Sequence, residues 1–306
     1  MVEIEYSTVT GERIKQKLSN WSGSLGLSAR DILRVDLSPL SHNNRITGLN
    51  LSKNHLKEID LKPLTNCVRL RELWLSENEL QHIDLEPLSG CTDLRKLMLF
   101  LNQLSAFDLS PLKKCPKLET LVLFENRLES IDISPLSAYS CIRHLDVSRN
   151  RLRAIDLRPL SKCEQLRELW LEDNQIESID LRPLVACKKL DRLMLQGNRI
   201  KSIDISPLYA CTSLFSLRID DDCELRTLER LRDTYPIPYA ITLLAQRPNW
   251  YYGPQPSTVA AAAAPPEKPN AWFCPRCGAV LPQYAVDSMK SGKSAVCPFC
   301  SATIDR

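Results

Sequence analysis

Only nine glycines are spread over 306 residues, and aromatic residues make up 6% of the chain. Four histidines are present, at His42, His55, His82 and His144, and none stands in an H-E-x-x-H arrangement. A phosphate loop, a glycine-rich dinucleotide turn and a nucleophile elbow are also missing, so an enzyme is not expected and no catalytic residue is assigned. No run of eighteen or more apolar residues occurs, which excludes a membrane-spanning helix. The opening stretch Met1-Val2-Glu3-Ile4-Glu5-Tyr6 carries two acids and lacks the apolar core of a secretory signal, so a cytoplasmic location is expected. In a reducing compartment the 12 cysteines are expected as thiols or metal ligands, not disulfides. A net charge of +3 is too small to argue for nucleic acid by itself. With 43% hydrophobic and 25% charged residues, the composition is that of a soluble chain able to bury a core.

What is present is periodic. Asn54, Asn78, Asn102, Asn126, Asn150, Asn174 and Asn198 follow one another in steps of 24 residues. Proline keeps the same step from Pro39 to Pro207, each time three residues after an aspartate of the series Asp36 to Asp204. Cysteine keeps it at Cys67, Cys91, Cys115, Cys163, Cys187 and Cys211; Tyr139 fills the missing slot, with Cys141 two residues beyond. The unit reads L-x-x-L-x-L-x-x-N-x-L-x-x-I-D-L-x-P-L-x-x-C-x-x and resembles the leucine-rich repeat family over residues 25–222. That resemblance implies an α/β solenoid, a horseshoe of about nine coils with parallel strands on one face.

Each part of the unit has a physical reason. In Leu70-Arg71-Glu72-Leu73-Trp74-Leu75 the alternation is that of a short strand with one buried face. The asparagine amide follows, placed to satisfy backbone groups that neither sheet nor water reaches. Proline is preset for the first position of a helical turn, which the aspartate, or the serine at Ser38, Ser110, Ser134 and Ser206, can cap. The cysteine is expected to act as a small buried hydrophobe. Residues 1–24 are expected to cap the first coil with a hairpin or a strand plus helix, and residues 223–247 to cap the last, where Asp222 takes the asparagine slot. The expected Pro/Ala-rich linker is 248–271.

The strand positions between and beside the buried leucines point away from the core. Trp74, Met98, Phe100, Val122 and Phe124 are thereby expected as one apolar patch for a protein partner. Trp170 and Met194 repeat Trp74 and Met98 after 96 residues, marking a block duplication. A polar column of mixed sign, including Glu72, Lys96, Glu168 and Arg192, flanks them and makes a phosphate backbone an unfavourable ligand for this face. Two other readings stay open: the aromatic ladder serves only to stabilise neighbouring strands, or the chain's own tail covers it.

The tail, residues 272–306, holds Cys274, Cys277, Cys297 and Cys300 as C-x2-C-x19-C-x2-C. Four thiolates at this spacing fit one closed, tetrahedral, structural Zn2+, and the segment resembles a zinc ribbon. The expected function is a non-enzymatic scaffold or adaptor for a protein partner, with no membrane and no small-molecule substrate. An RNA- or ribosome-associated adaptor acting through the ribbon is the alternative, and a solenoid regulated by its own tail is another.

Overall fold

The structure, a computed structural model, describes residues 2–18, 23–106, 108–138, 141–228, 231, 237–244, 250–252, 294–296 and 303–304. Nine strands form one parallel sheet: β3 (Gly23–Gly26), β5 (Ile46–Asn50), β6 (Glu72–Trp74), β7 (Lys96–Met98), β8 (Thr120–Val122), β9 (His144–Asp146), β10 (Glu168–Trp170), β11 (Arg192–Met194) and β13 (Ser216–Arg218). Each strand pairs with that of the next coil, so the sequence step of 24 becomes the sheet register: Leu73 faces Leu97, which faces Leu121, Leu145, Leu169 and Leu193. These leucines, with the flanking Leu70 and Leu75 and their equivalents, are fully buried in one continuous core.

The return segments are 3-10 turns, such as Glu86–Gly90 and Arg182–Ala186, where the α/β reading expects helices. Three to five residues with proline in second place leave room for little more than one tight turn. Aspartate closes each of them. Asp36, Asp60, Asp84, Asp108, Asp132, Asp156, Asp180 and Asp204 each accept the backbone N–H two residues on at 2.8–2.9 Å. The serines expected as alternative caps do not cap; Ser38 and Ser134 donate their hydroxyls to the same aspartates.

After each strand the chain turns sharply at a residue with φ between 51° and 59°: Lys53, Glu77, Leu101, Glu125, Arg149 and Asp173. Each such non-glycine residue costs about 1 kcal/mol, and the scarcity of glycine means the fold accepts that cost in nearly every coil. Gly197 alone of the series has no side chain, and a Cβ there would come 2.1 Å from Asp173 Oδ1. The asparagine that follows holds the turn. Asn78 Nδ2 donates to Leu51 O and Leu75 O at 3.0 Å each, while its Oδ1 accepts from Leu56 N at 3.0 Å. The same three bonds recur at Asn54, Asn102, Asn126, Asn150, Asn174 and Asn198.

At the N-terminal end β1 (Val2–Thr8) and β2 (Arg13–Leu18) form a hairpin, and β1 also pairs antiparallel with β4 (Ile32–Asp36). Arg30, in the first asparagine slot, binds Tyr6 Oη and Gln16 Oε1 through its guanidinium. At the other end β12 (Ser202–Asp204) pairs in parallel with β14 (Glu224–Thr227), followed by α1 (Tyr239–Leu244). Asp222 does not fill the asparagine slot: it is exposed and pairs with Lys201 at 3.4 Å. Asp220 takes over instead, accepting from Gly197 N at 2.8 Å and Asn198 N at 3.2 Å. β15 (Trp250–Tyr252) pairs with β14, so the stretch expected as linker begins with a strand of the C-terminal sheet.

Candidate functional site

The parallel register sets the outer face of the sheet in columns. Asn50, Trp74, Met98, Val122, Asp146, Trp170, Met194 and Arg218 occupy one column, each beside the next. In the neighbouring column the Phe100 and Phe124 rings stack, with centroids 4.7 Å apart and planes 8° from parallel. Trp74, Met98, Phe100 and Phe124 are half-buried, whereas Val122 and Met194, at 5% and 8% exposure, are covered by their neighbours. The outer face is therefore apolar over coils three to five, but part of that apolar surface is spent on contacts between strands.

The polar column is internally paired. Lys96 Nζ lies 2.9 Å from Glu72 Oε1, and Trp74 Nε1 donates to Glu72 Oε2 at 3.3 Å. The Lys96 bond holds the Glu72 carboxyl below the usual carboxylate range. Glu168 is shared between His144, at 2.8 Å, and Arg192, at 2.5 Å. Trp170, whose ring tilts against His144 at a centroid distance of 6.2 Å, has a buried Nε1 with no hydrogen-bond partner. The two duplicated tryptophans thus differ: one is tied to its own strand, and the other offers an unused donor.

Asp146 stands where the duplicate coil has Asn50, and sequence reading gave it no role. Its Oδ1 accepts from Ser148 N at 2.9 Å and Ser148 Oγ at 2.6 Å, as Asn50 Oδ1 does from Ser52 at 3.0 and 2.7 Å. Burial raises the Asp146 carboxyl above its ordinary value, against the pull of the Ser148 bonds. Burial, with Asp173 and Asp146 nearby, raises Glu172 as well. A raised carboxyl means the folded state holds its proton more tightly, so stability falls as pH rises past the unfolded value. Asp146→Asn keeps both Ser148 bonds and removes the buried charge. It is expected to raise the urea midpoint at pH 7, with the gain disappearing below about pH 4, measured by equilibrium unfolding at both pH values.

The cysteine column is a run of buried thiols. Cys91, Cys115, Cys187 and Cys211 donate to the carbonyls of Leu64, Leu88, Leu160 and Leu184 in the preceding coil at 3.3–3.6 Å. Burial pushes Cys67 and Cys115 up to about 11 and Cys91, Cys163 and Cys211 up to about 12, and raises Cys187 too. The eight described cysteines are thiols, none joined in a disulfide. Cys223 is fully buried, and Cys141, though out of step, lies near enough to Cys163 to raise it further. The four cysteines read as metal ligands, Cys274, Cys277, Cys297 and Cys300, lie outside the described residues.

A leucine rich repeat family model matches residues 44–104 and 116–176. No curated protein matches the chain. Among solved structures, internalin C2 from Listeria monocytogenes shares 28% identity with a TM-score of 0.55, over 64% of this chain and 80% of that one. A leucine-rich repeat protein of Leptospira interrogans shares 24% identity with a TM-score of 0.56, over 68% of this chain and 50% of that one, and speaks to the fold alone. The ectodomain of the Arabidopsis thaliana membrane receptor kinase GASSHO1/SCHENGEN3, solved with Casparian strip integrity factor 2, shares 25% identity with a TM-score of 0.53. That match covers 69% of this chain and 24% of the receptor ectodomain. Register, repeat and these likenesses together give the chain a leucine-rich repeat solenoid fold, with the family model matched over residues 44–104 and 116–176.

Proposed function

We propose that the protein is a non-enzymatic scaffold or adaptor that binds a protein partner on the outer face of its parallel sheet, centred on Trp74, Met98, Phe100 and Phe124. The observation that carries this reading is the cluster of large apolar side chains on a sheet face where the fold itself requires none. Leucine-rich repeat proteins generally act through protein–protein interaction, and the plant ectodomain is a relative held with such a partner. Trp170 and Met194, with Glu168 and Arg192, form the lesser, more polar half of the surface. Buried thiols along the solenoid, such as Cys67, Cys91, Cys187 and Cys211, fit a reducing compartment such as the cytoplasm. The test is partner capture, with identification by mass spectrometry, by the intact protein and by a Trp74→Ala, Phe124→Ala double variant. Loss of the identified partner at an unchanged urea midpoint is expected; equal capture by the variant overturns the reading.

The tail is proposed to hold one structural Zn2+ on Cys274, Cys277, Cys297 and Cys300. A short antiparallel pair, β16 (Ala295–Val296) with β17 (Thr303–Ile304), brackets the second Cys-x2-Cys pair, as a knuckle between two strands requires. Metal analysis of the purified chain is expected to find one zinc per chain, lost in Cys274→Ser with Cys297→Ser. A zinc-free native chain rules the site out.

A further inference from the structure

Beside the apolar half of the sheet lies a cleft of about 750 Å³ that no part of the proposed function uses. It is lined by Arg45, Arg69 and Arg71, with Gly23, Asn44, Thr47 and Asp93 completing the wall. The three arginines are exposed, and among the described residues none of them has an ion-pair partner. This sets them apart from Arg95 and Arg143, which share Glu119 at 3.0 and 3.4 Å on the same flank. The one acid in the wall, Asp93, is paired with Lys117 and also feels the charge of Arg71 and Arg95, so a single carboxylate is shared among several cations. Three guanidiniums against one shared carboxylate therefore leave a net positive site.

The floor next to it is low. The strand positions between the cleft and Trp74 are Ser24, Gly26, Gly48 and Asn50; a Cβ added at Gly26 would meet nothing within 4 Å, while Gly48 is covered only by the small Ser24 side chain, 2.7 Å from where its Cβ would lie. A chain lying across coils one to three can therefore reach the arginines and Trp74 together. Arg71 lies three residues before Trp74, with Glu72 between them held by Lys96 and the Trp74 ring N–H, so the two surfaces are joined through β6.

We infer that this cleft binds the phosphate of a phosphorylated segment in the protein partner, beside the apolar patch that holds the rest of that segment. The inference rests on the partner-binding reading of the sheet face. A phosphate monoester near neutral pH carries close to two charges and three acceptor oxygens, which suits several arginine forks; a carboxylate has one charge and is satisfied by one fork. A nucleic acid is less well matched, since the neighbouring polar column is of mixed sign and internally paired.

The experiment uses the full chain and a pool of fluorescein-labelled nonapeptides with a fixed central phosphoserine, read by anisotropy against pools carrying serine or glutamate there. The phosphoserine pool is expected to bind at least about tenfold more tightly than either. Arg69→Glu with Arg71→Glu is expected to abolish that preference, while Arg167→Glu, the matching exposed arginine one duplication later, leaves it within about twofold. Equal binding of the three pools, or a preference that survives the double variant, overturns the inference. So does tighter binding of a labelled single-stranded uridine 20-mer through the same arginines. Those failures leave untouched a partner captured through Trp74 and Phe124, whereas loss of that capture alone condemns the partner reading itself.

Discussion

Asn126→Ala is expected to cost about 3–5 kcal/mol of unfolding free energy, read from the shift in urea midpoint. The side chain closes three bonds at once: Nδ2 to Leu99 O and Leu123 O, both 3.0 Å, and Oδ1 from Leu104 N, 3.0 Å. All three backbone groups belong to buried residues; truncation leaves Leu104 N without its partner, while Leu99 O and Leu123 O each lose one of two bonds and keep those from Asn102 and Asn150. An orphaned buried amide or carbonyl costs about 1–3 kcal/mol, and the void left by alanine partly offsets this if it admits one water. Asn126→Asp is expected to do no better at neutral pH, because it keeps the acceptor for Leu104 but turns an oxygen toward two carbonyls. The loss should be smaller at Asn198, which is only half-buried and stands near the last coil. A cost below about 1 kcal/mol at Asn126 would show that the ladder is held by leucine packing alone.

The step of 24 predicts strand register, the asparagine ladder, the aspartate turns and the cysteine column, because each coil repeats the same contacts with its neighbours. Column membership on the outer face follows from the same step, which is why Trp74, Met98 and Val122 stand side by side as the pattern requires. What the step does not convey is how side chains within a column settle against each other. The stacking of Phe100 on Phe124, the cover over Val122 and Met194, and the sharing of Glu168 between His144 and Arg192 depend on rotamers and on differences between coils. Departures from the repeat were equally opaque. Asp220 lies outside the asparagine series, yet it caps the last complete turn where the in-phase Asp222 does not. The arginine cleft is not visible on the strand columns, because Arg45 and Arg69 share a repeat position before the strands, in a column that continues to Asp93 and Lys117, and Arg71 comes from the column next to it. A count of unpaired charges along the flanks, coil by coil, is the signal that finds it.

Deletion of residues 1–18 is expected to cause aggregation, or to lower the unfolding free energy by about 5 kcal/mol if the protein stays unaggregated. A solenoid buries each coil against the next, so its first coil has an open core face unless something covers it. Here β1 supplies the cover: Ile4 and Tyr6, 0% and 4% exposed, belong to the same core as Leu37 and Leu40. Burial of two such side chains contributes about 2–3 kcal/mol each, and β4 loses its strand partner in the same deletion. The hairpin also changes what the end presents to solvent. β2 is an outer strand of the cap sheet and alternates exposed Arg13, Lys15 and Lys17 with Ile14 and Gln16, so another chain would meet a row of positive charge. Without it β4 becomes an unpaired edge, and the apolar end of the core is open beside it. Size-exclusion chromatography and urea melts separate the two outcomes, and Lys15→Ala, at a position 63% exposed, serves as the control with an expected change of no more than about 0.5 kcal/mol. An unaggregated protein with an undiminished midpoint would mean that the first coil is stable with its face uncovered, and that the cap acts only on solubility.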